Sequence, residues 1–272
     1  MSNIPFVYRD KLNIPKNIRF GLELELDKID PDEVYKLVRK EFGNTWLIKE
    51  DKGLTKGENR ELVSPVLTNT KDTWVMLKRM ADLLKKINPD YSHCSFQINF
   101  DGDMLPSMKT RLRFLKLYAM YEDIIYRFSK GGDKNYRESM EMYASPIILS
   151  LRYDPSGNIQ ETLDEYTNQK RYGIAFKNID KDLIEFRTPN MTSEEIYWQN
   201  YINTFYYLLR CAANPKYDQD EVDRYIDEFS EIYMLESYEI LREDKARQFV
   251  KTIFDSNIDK NYFMHQYIGR RR

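Results

Sequence analysis

In the stretch IRFGLELELD, Glu23, Glu25 and Asp27 alternate with Leu22, Leu24 and Leu26. On a strand, side chains two apart leave the same face about 6.5–7 Å from one another. Carboxylates at that separation suit neighbouring hard cations, which fill their shells with oxygen ligands. Three more stretches alternate in the same way and line up Gln97 with Asn99, Arg171 with Lys177, and Glu185 with Arg187. Amide carbonyls also give oxygen to Mg²⁺, and arginines grip phosphate through paired hydrogen bonds. Gathered on one sheet face, these residues would make a metal–phosphate site. Acidic residues are depleted in strands, so their presence needs a reason. A solvated face with cross-strand ion pairs is the competing one, and periodicity alone does not choose between them.

The elements that must position these side chains are legible as alternating strands and helices. Strands are expected in IRFGLELELD, NTWLIKE, RELVSPVL, HCSFQINF, RYGIAFKN and KDLIEFRTP, with a turn at Asp180–Asp182 joining the last two. Asp30-Pro31 opens a helix that Gly43 ends. Trp74, Leu77, Met80, Leu84 and Ile87 make a helical stripe within Thr70–Ile87. Pro106 is expected to start one long helix running through Phe128, in which Glu122 reads as a solvated position. Thr192 or Ser193 is expected to cap a Tyr-rich core helix that follows. Residues 130–170 are irregular, and Arg137 lies among them. The expected fold class is α+β: an antiparallel sheet with helices on its apolar face and its polar face open. Residues 1–214 are read as the catalytic domain and 215–272 as a helical C-terminal extension.

Composition narrows the function. A chain of 272 residues with 42% hydrophobic residues can bury a sizeable core. A formal charge of −2 gives no basic field for nucleic acid or a membrane surface. Only His93 and His265 are present, which nearly excludes a multi-histidine zinc site. Cys94 and Cys211 have no metal-type spacing, and Cys94 on an apolar face reads as a packed thiol. With no signal-like or membrane-length apolar run, a reducing cytoplasm is the expected compartment.

The motifs FGLELEL, RELVSPVL, CSFQINFDGD and LIEFRTPNMT occur in the order found in the amidoligase family. These are relatives of glutamate–cysteine ligase and glutamine synthetase. The family pattern resembles FG-x-E-x-E, E-L-V-S-P, C-G-x-H-V-H and T-I-E-F-R, and the resemblance covers roughly residues 18 to 210. It implies a curved antiparallel sheet with helices on the convex face and the site on the concave one. It also implies an ATP- and Mg²⁺-dependent carboxylate–amine ligase working through an acyl phosphate. Carried over by position, Glu23, Glu25, Glu61 and Glu185 look like metal ligands. Arg187 looks like the group that neutralises the transferring phosphoryl, with Glu185 and Glu61 beside it in the catalytic set. Gln97, Asn99, Arg171 and Arg137 look like nucleotide contacts. The partners implied are a glutamate-like carboxylate, free or in a peptide, and an amine.

Gln97 and Asn99 stand where the family has two histidines. CSFQINFD is nonetheless similar to the CTVQVNLD stretch of plant-type glutamate–cysteine ligases, so amides at these positions are compatible with turnover. They can hold a cation or phosphate but cannot act as acid or base. One alternative is a catalytically inactive nucleotide- or peptide-binding regulatory protein of the same fold. Another is a phosphotransferase that stops at the phosphate. No Gly-rich phosphate loop is present, so any nucleotide must be held by the sheet. Removing one acid, as in Glu25→Gln, is expected to relieve repulsion in the metal-free protein. Aromatic helices would also allow self-association.

Overall fold

The computed structural model describes residues 5–131, 140–148, 151, 171–177, 182–228, 238 and 240–269. Alternation becomes strand wherever it was read: β1 (Arg19–Leu26), β2 (Leu47–Lys49), β3 (Arg60–Val63), β4 (Leu67–Thr68), β5 (Phe96–Asp101), β6 (Ile174–Lys177) and β7 (Leu183–Phe186). They form one antiparallel sheet in the order β2-β3-β1-β5-β7-β6, with β4 also pairing β1. RELVSPVL divides into β3 and β4 at Pro65, which has no N–H to give a ladder. Ser64 bridges the gap, its Oγ accepting from the Leu22 N–H at 2.9 Å.

The helices are α1 (Pro31–Phe42), α2 (Lys71–Ile87), α3 (Met108–Met120), α4 (Glu122–Ser129), α5 (Met140–Tyr143), α6 (Glu195–Ala213), α7 (Gln219–Glu228), α8 (Glu243–Ile253) and α9 (Asn257–Ile268). Local chemistry sets several starts. Asp30 accepts from the N–H groups of Asp32 and Glu33 before α1, and Thr70 accepts from Thr73 before α2. Ser107 and Thr110 form a capping box at α3, so that helix starts just beyond Pro106. Glu194 rather than Thr192 or Ser193 holds the N-cap position of α6, without a side-chain cap.

The apolar sheet face is roofed by α2, α3 and α6. Phe96 packs on Trp198 and Tyr201 with ring centroids 5.5 and 5.8 Å apart, and Phe186 stacks on Phe205 at 4.1 Å. Phe114 meets Phe186 edge-on at 5.8 Å, and Phe20 stacks on Trp74 at 6.0 Å. Each such buried ring contributes about 1.5–3 kcal/mol. Cys94 is a packed thiol in this layer, as expected.

Three expectations are corrected. The polar sheet face is not open: Glu25, Glu61, Gln97, Asn99, Glu185 and Arg187 are all buried. The helix expected over 106–128 is broken at Tyr121, whose φ of −108° and ψ of 17° end α3 and turn the chain into α4. Glu122, first residue of α4, is 1% exposed rather than solvated. Asp182 has a φ of 36°, a turn conformation, while 180 and 181 lie outside the described residues.

The C-terminal helices are present and join the hydrophobic core cluster through Phe249, Ile253 and Phe263. Buried Asp259 of α9 accepts from Arg9 at 2.8 Å and from Asn203 of α6 at 3.0 Å. Among the described residues no helix is long and apolar enough to cross a membrane.

Candidate functional site

Register builds the site. Glu25 pairs with Glu61, and Glu61 with Lys49, which puts Lys49, Glu61 and Glu25 in one row across β2, β3 and β1. Glu23 pairs with Gln97 in the next row. Asn99 faces Gly21 on one side and Glu185 on the other in a third row, and Glu185 faces Ala175. Rows on one face are about 6.5–7 Å apart, within diagonal reach of long polar side chains.

Hydrogen bonds join the rows on that diagonal. Gln97 Nε2 donates to Glu25 Oε1 at 2.7 Å, and Asn99 Nδ2 donates to Glu23 Oε1 at 2.9 Å. The backbone N–H of Ser95 donates to the other Glu25 oxygen at 2.6 Å. Arg187 lies just past β7, and its Nη1 donates to Gln97 Oε1 and to Glu185 Oε2, both at 3.0 Å. Its Nε donates to the Tyr143 carbonyl, also at 3.0 Å. Glu185 is fully buried, so this ion pair is shielded from water.

The edge of the cluster is electrostatically different. Glu23 and Glu61 carry their carboxyls side by side, with Lys49 Nζ 2.9 Å from Glu61 Oε1 and 4.0 Å from Glu23 Oε2. Burial, and then the Glu23 carboxylate, push the Glu61 carboxyl up to about 8, against the pull of Lys49. Both effects favour the protonated form of the Glu61 carboxyl. Asn99 Oδ1 is a buried acceptor with no hydrogen-bond partner among the described residues. Its assignment is fixed by chemistry, since Glu23 needs the amide's donor end.

The structure thus brings Glu23, Glu25, Glu61, Gln97, Asn99, Glu185 and Arg187 onto one face. Arg171 stands apart at the head of β6, exposed, with its guanidinium 5.4 Å from the centre of the Tyr172 ring. Arg137 lies outside the described residues. Asp27, third in the β1 row, is spent on structure and accepts from the N–H and hydroxyl of Thr55 at 3.1 and 3.0 Å. Lys49, Ser95 and Tyr143 were not singled out from sequence. Lys49 had a readable signal, its alternate position in NTWLIKE. Tyr143 acts through its backbone, which residue type does not reveal, while Ser95 uses both its backbone N–H and its hydroxyl, which accepts from Gln97 Nε2 at 3.0 Å.

Among the described residues no three His, Cys, Asp or Glu side chains are arranged as a ready metal cage. The donor set still fits Mg²⁺. That ion binds through one or two carboxylates, with waters and substrate phosphates completing its shell. Glu23 and Glu61 offer such a pair, and a cation bound between them would relieve the repulsion that raises the Glu61 carboxyl. The Lys49 side chain is 46% exposed and can swing aside.

No protein-family model matches the chain, and no curated protein matches it.

Proposed function

We propose that this chain is an ATP- and Mg²⁺-dependent carboxylate–amine ligase with a glutamine synthetase-like curved sheet, joining a glutamate-like acid to an amine. The observation that carries the reading is the meeting of oxygen ligands and a buried arginine on one sheet face. Such a face suits phosphoryl transfer, where catalysis is mostly positioning and charge neutralisation. Glu23 and Glu61 would hold the cation, Glu61 in its ionised form, and Asn99 Oδ1 offers a further oxygen. Bound there, Mg²⁺ would neutralise charge on the triphosphate. Arg187 would neutralise the phosphoryl group as it passes to the substrate carboxylate and ADP leaves. Glu185 and Gln97 hold the guanidinium in place for that step. The amine nitrogen then attacks the acyl carbon, phosphate departs and the amine's proton goes to water. Glu25 serves to orient Gln97.

A second reading, a nucleotide- or peptide-binding protein without turnover, is favoured by one observation. Both oxygens of Glu25, and one each of Glu61 and Glu185, are already engaged by protein donors.

The test is phosphate release from ATP and Mg²⁺ across a matrix of amino acids, short peptides and amines. The ligase reading expects release only when an acid and an amine are both supplied. A product mass equal to acid plus amine minus water should accompany it. ATP binding by calorimetry without any such product would favour the second reading. No ATP binding at all would overturn the ligase.

A further inference from the structure

Arg187 is held from the sheet face by Glu185 and Gln97, but its third tether is a carbonyl on a different segment, that of Tyr143. Tyr143 ends α5 and begins a strap, residues 143–148, whose backbone is pinned at three places. Its Ser145 N–H donates to the Arg171 carbonyl at 2.7 Å and its Ser145 carbonyl accepts from Gly173 at 3.0 Å. The Tyr126 hydroxyl donates to the Ala144 carbonyl at 2.5 Å. The N–H groups of Ile147 and Ile148 donate to the two oxygens of Glu122 at 2.7 and 3.2 Å.

The strap is seated without slack. Gly173, which carries one of its two sheet-side bonds, has no room for a side chain. A Cβ there would come within 2.6 Å of both Thr188 Cγ2 and the Tyr126 hydroxyl. Gly173 in turn accepts through its carbonyl from the Arg187 N–H at 2.9 Å. Backbone and guanidinium of Arg187 are therefore both tied to the strap or its immediate support.

Glu122 is placed for this by the break at Tyr121, which makes it the first residue of α4. A carboxylate is favoured at a helix start by the exposed N–H groups there. Its neighbour Asp123 faces the other way in function, pairing at 2.9 Å with Lys245 of α8. Two adjacent buried acids thus tie α4 to the strap on one side and to the C-terminal helices on the other. Burial raises the Glu122 carboxyl, while its two backbone donors favour the ionised form in which both oxygens accept, so its burial carries a cost.

We propose that Glu122 is a positioning residue for Arg187. It fixes the amides of Ile147 and Ile148, which fixes the Tyr143 carbonyl, which sets the plane of the guanidinium. That this matters for phosphoryl transfer rests on the ligase reading; the mechanical link does not.

The test labels arginine with ¹⁵N and follows exchange of the Arg187 Nε–H, identified by its loss in Arg187→Lys. Glu122→Gln, which keeps the shape but can accept only one of the two N–H bonds, should speed that exchange at least about tenfold. Asp259→Asn, at the buried ion pair with Arg9, is the control. It should lower the melting temperature and leave the Arg187 exchange unchanged. Tyr126→Phe, which removes the other α4 anchor, should act in the same direction by about threefold. It decides the matter alone if Glu122→Gln does not fold. Unchanged exchange in Glu122→Gln, or in Tyr126→Phe where that variant decides, overturns the proposal. So does an equal rise in Asp259→Asn. In ligase assays Glu122→Gln should lower kcat and spare the KM for ATP. If the unaltered protein forms no amide, the ligase reading fails while the exchange result still decides the positioning role.

Discussion

Glu25 and Glu23 stand two residues apart on one strand, and the protein treats them in opposite ways. Glu25 is saturated, with an amide donor on one oxygen and a backbone N–H on the other. Glu23 is set beside a second carboxyl whose protonated form it favours, near a lysine that reaches solvent. A carboxylate ringed by donors fixes structure. A carboxylate set against another acid keeps a place for positive charge, filled by a proton when nothing else is there. Arg187 and Glu185 extend the saturated half, and Lys49 and Glu61 make up the unsaturated one.

Three substitutions break or sharpen that contrast. The largest effect is expected for Arg187→Met, which strands the buried Glu185 carboxylate without its guanidinium. Removing one partner of a buried pair costs about 3–5 kcal/mol, read as a lowered urea midpoint. A cost under about 1 kcal/mol would mean that the saturated half is not held by charge pairing.

Glu25→Gln comes next. The sequence suggested that it would relieve repulsion, and the contacts reverse that sign. An amide at this position must aim an N–H at the Ser95 N–H or at Gln97, losing one hydrogen bond and clashing donor with donor. A loss of about 1–3 kcal/mol is expected by denaturation. Unchanged stability would place Glu25 with the unsaturated half.

The smallest effect belongs to Glu61→Gln, which replaces a carboxyl that burial and Glu23 push toward its protonated form. Below pH 4.5, where the carboxyl is protonated folded and unfolded alike, stability should change by less than about 1 kcal/mol. The pH dependence is the sharper readout. The folded Glu61 group sits at about 8 against an ordinary value of 4.5, so between these values the native state binds more protons than the unfolded one. This group's contribution is full below 4.5 and is lost as pH rises toward 8, by up to about 1.4 kcal/mol per pH unit. Glu61→Gln should flatten that decline. A decline as steep in the variant would assign the titrating group elsewhere.

The strands and most helices were legible because their signals are local. Alternation in FGLELEL and FQINF sets which side chains share a face whatever the partner strand. Asp30 and Thr70 cap helices through bonds that reach only two or three residues ahead. Other features had no local sign. Tyr121 interrupts a run with neither Pro nor Gly, at a place where Glu122 and Asp123 find partners in the strap and in α8. The burial of the polar face depends on what lies over it. No property of Glu185 or Arg187 as residue types announces a pair cut off from water.

Sequence alone determined that acids, amides and an arginine would line one side of a sheet, since a period of two is a property of the extended backbone. Tertiary structure decided which of them would be neighbours. Pairing β1 with β3 on one side and β5 on the other sets Glu25 across from Glu61 and Glu23 across from Gln97. A shift of one residue would have turned every one of these side chains to the opposite face. The electrostatic split between the halves follows from that register, because a buried carboxyl takes its charge state from whichever group the neighbouring strand delivers to it.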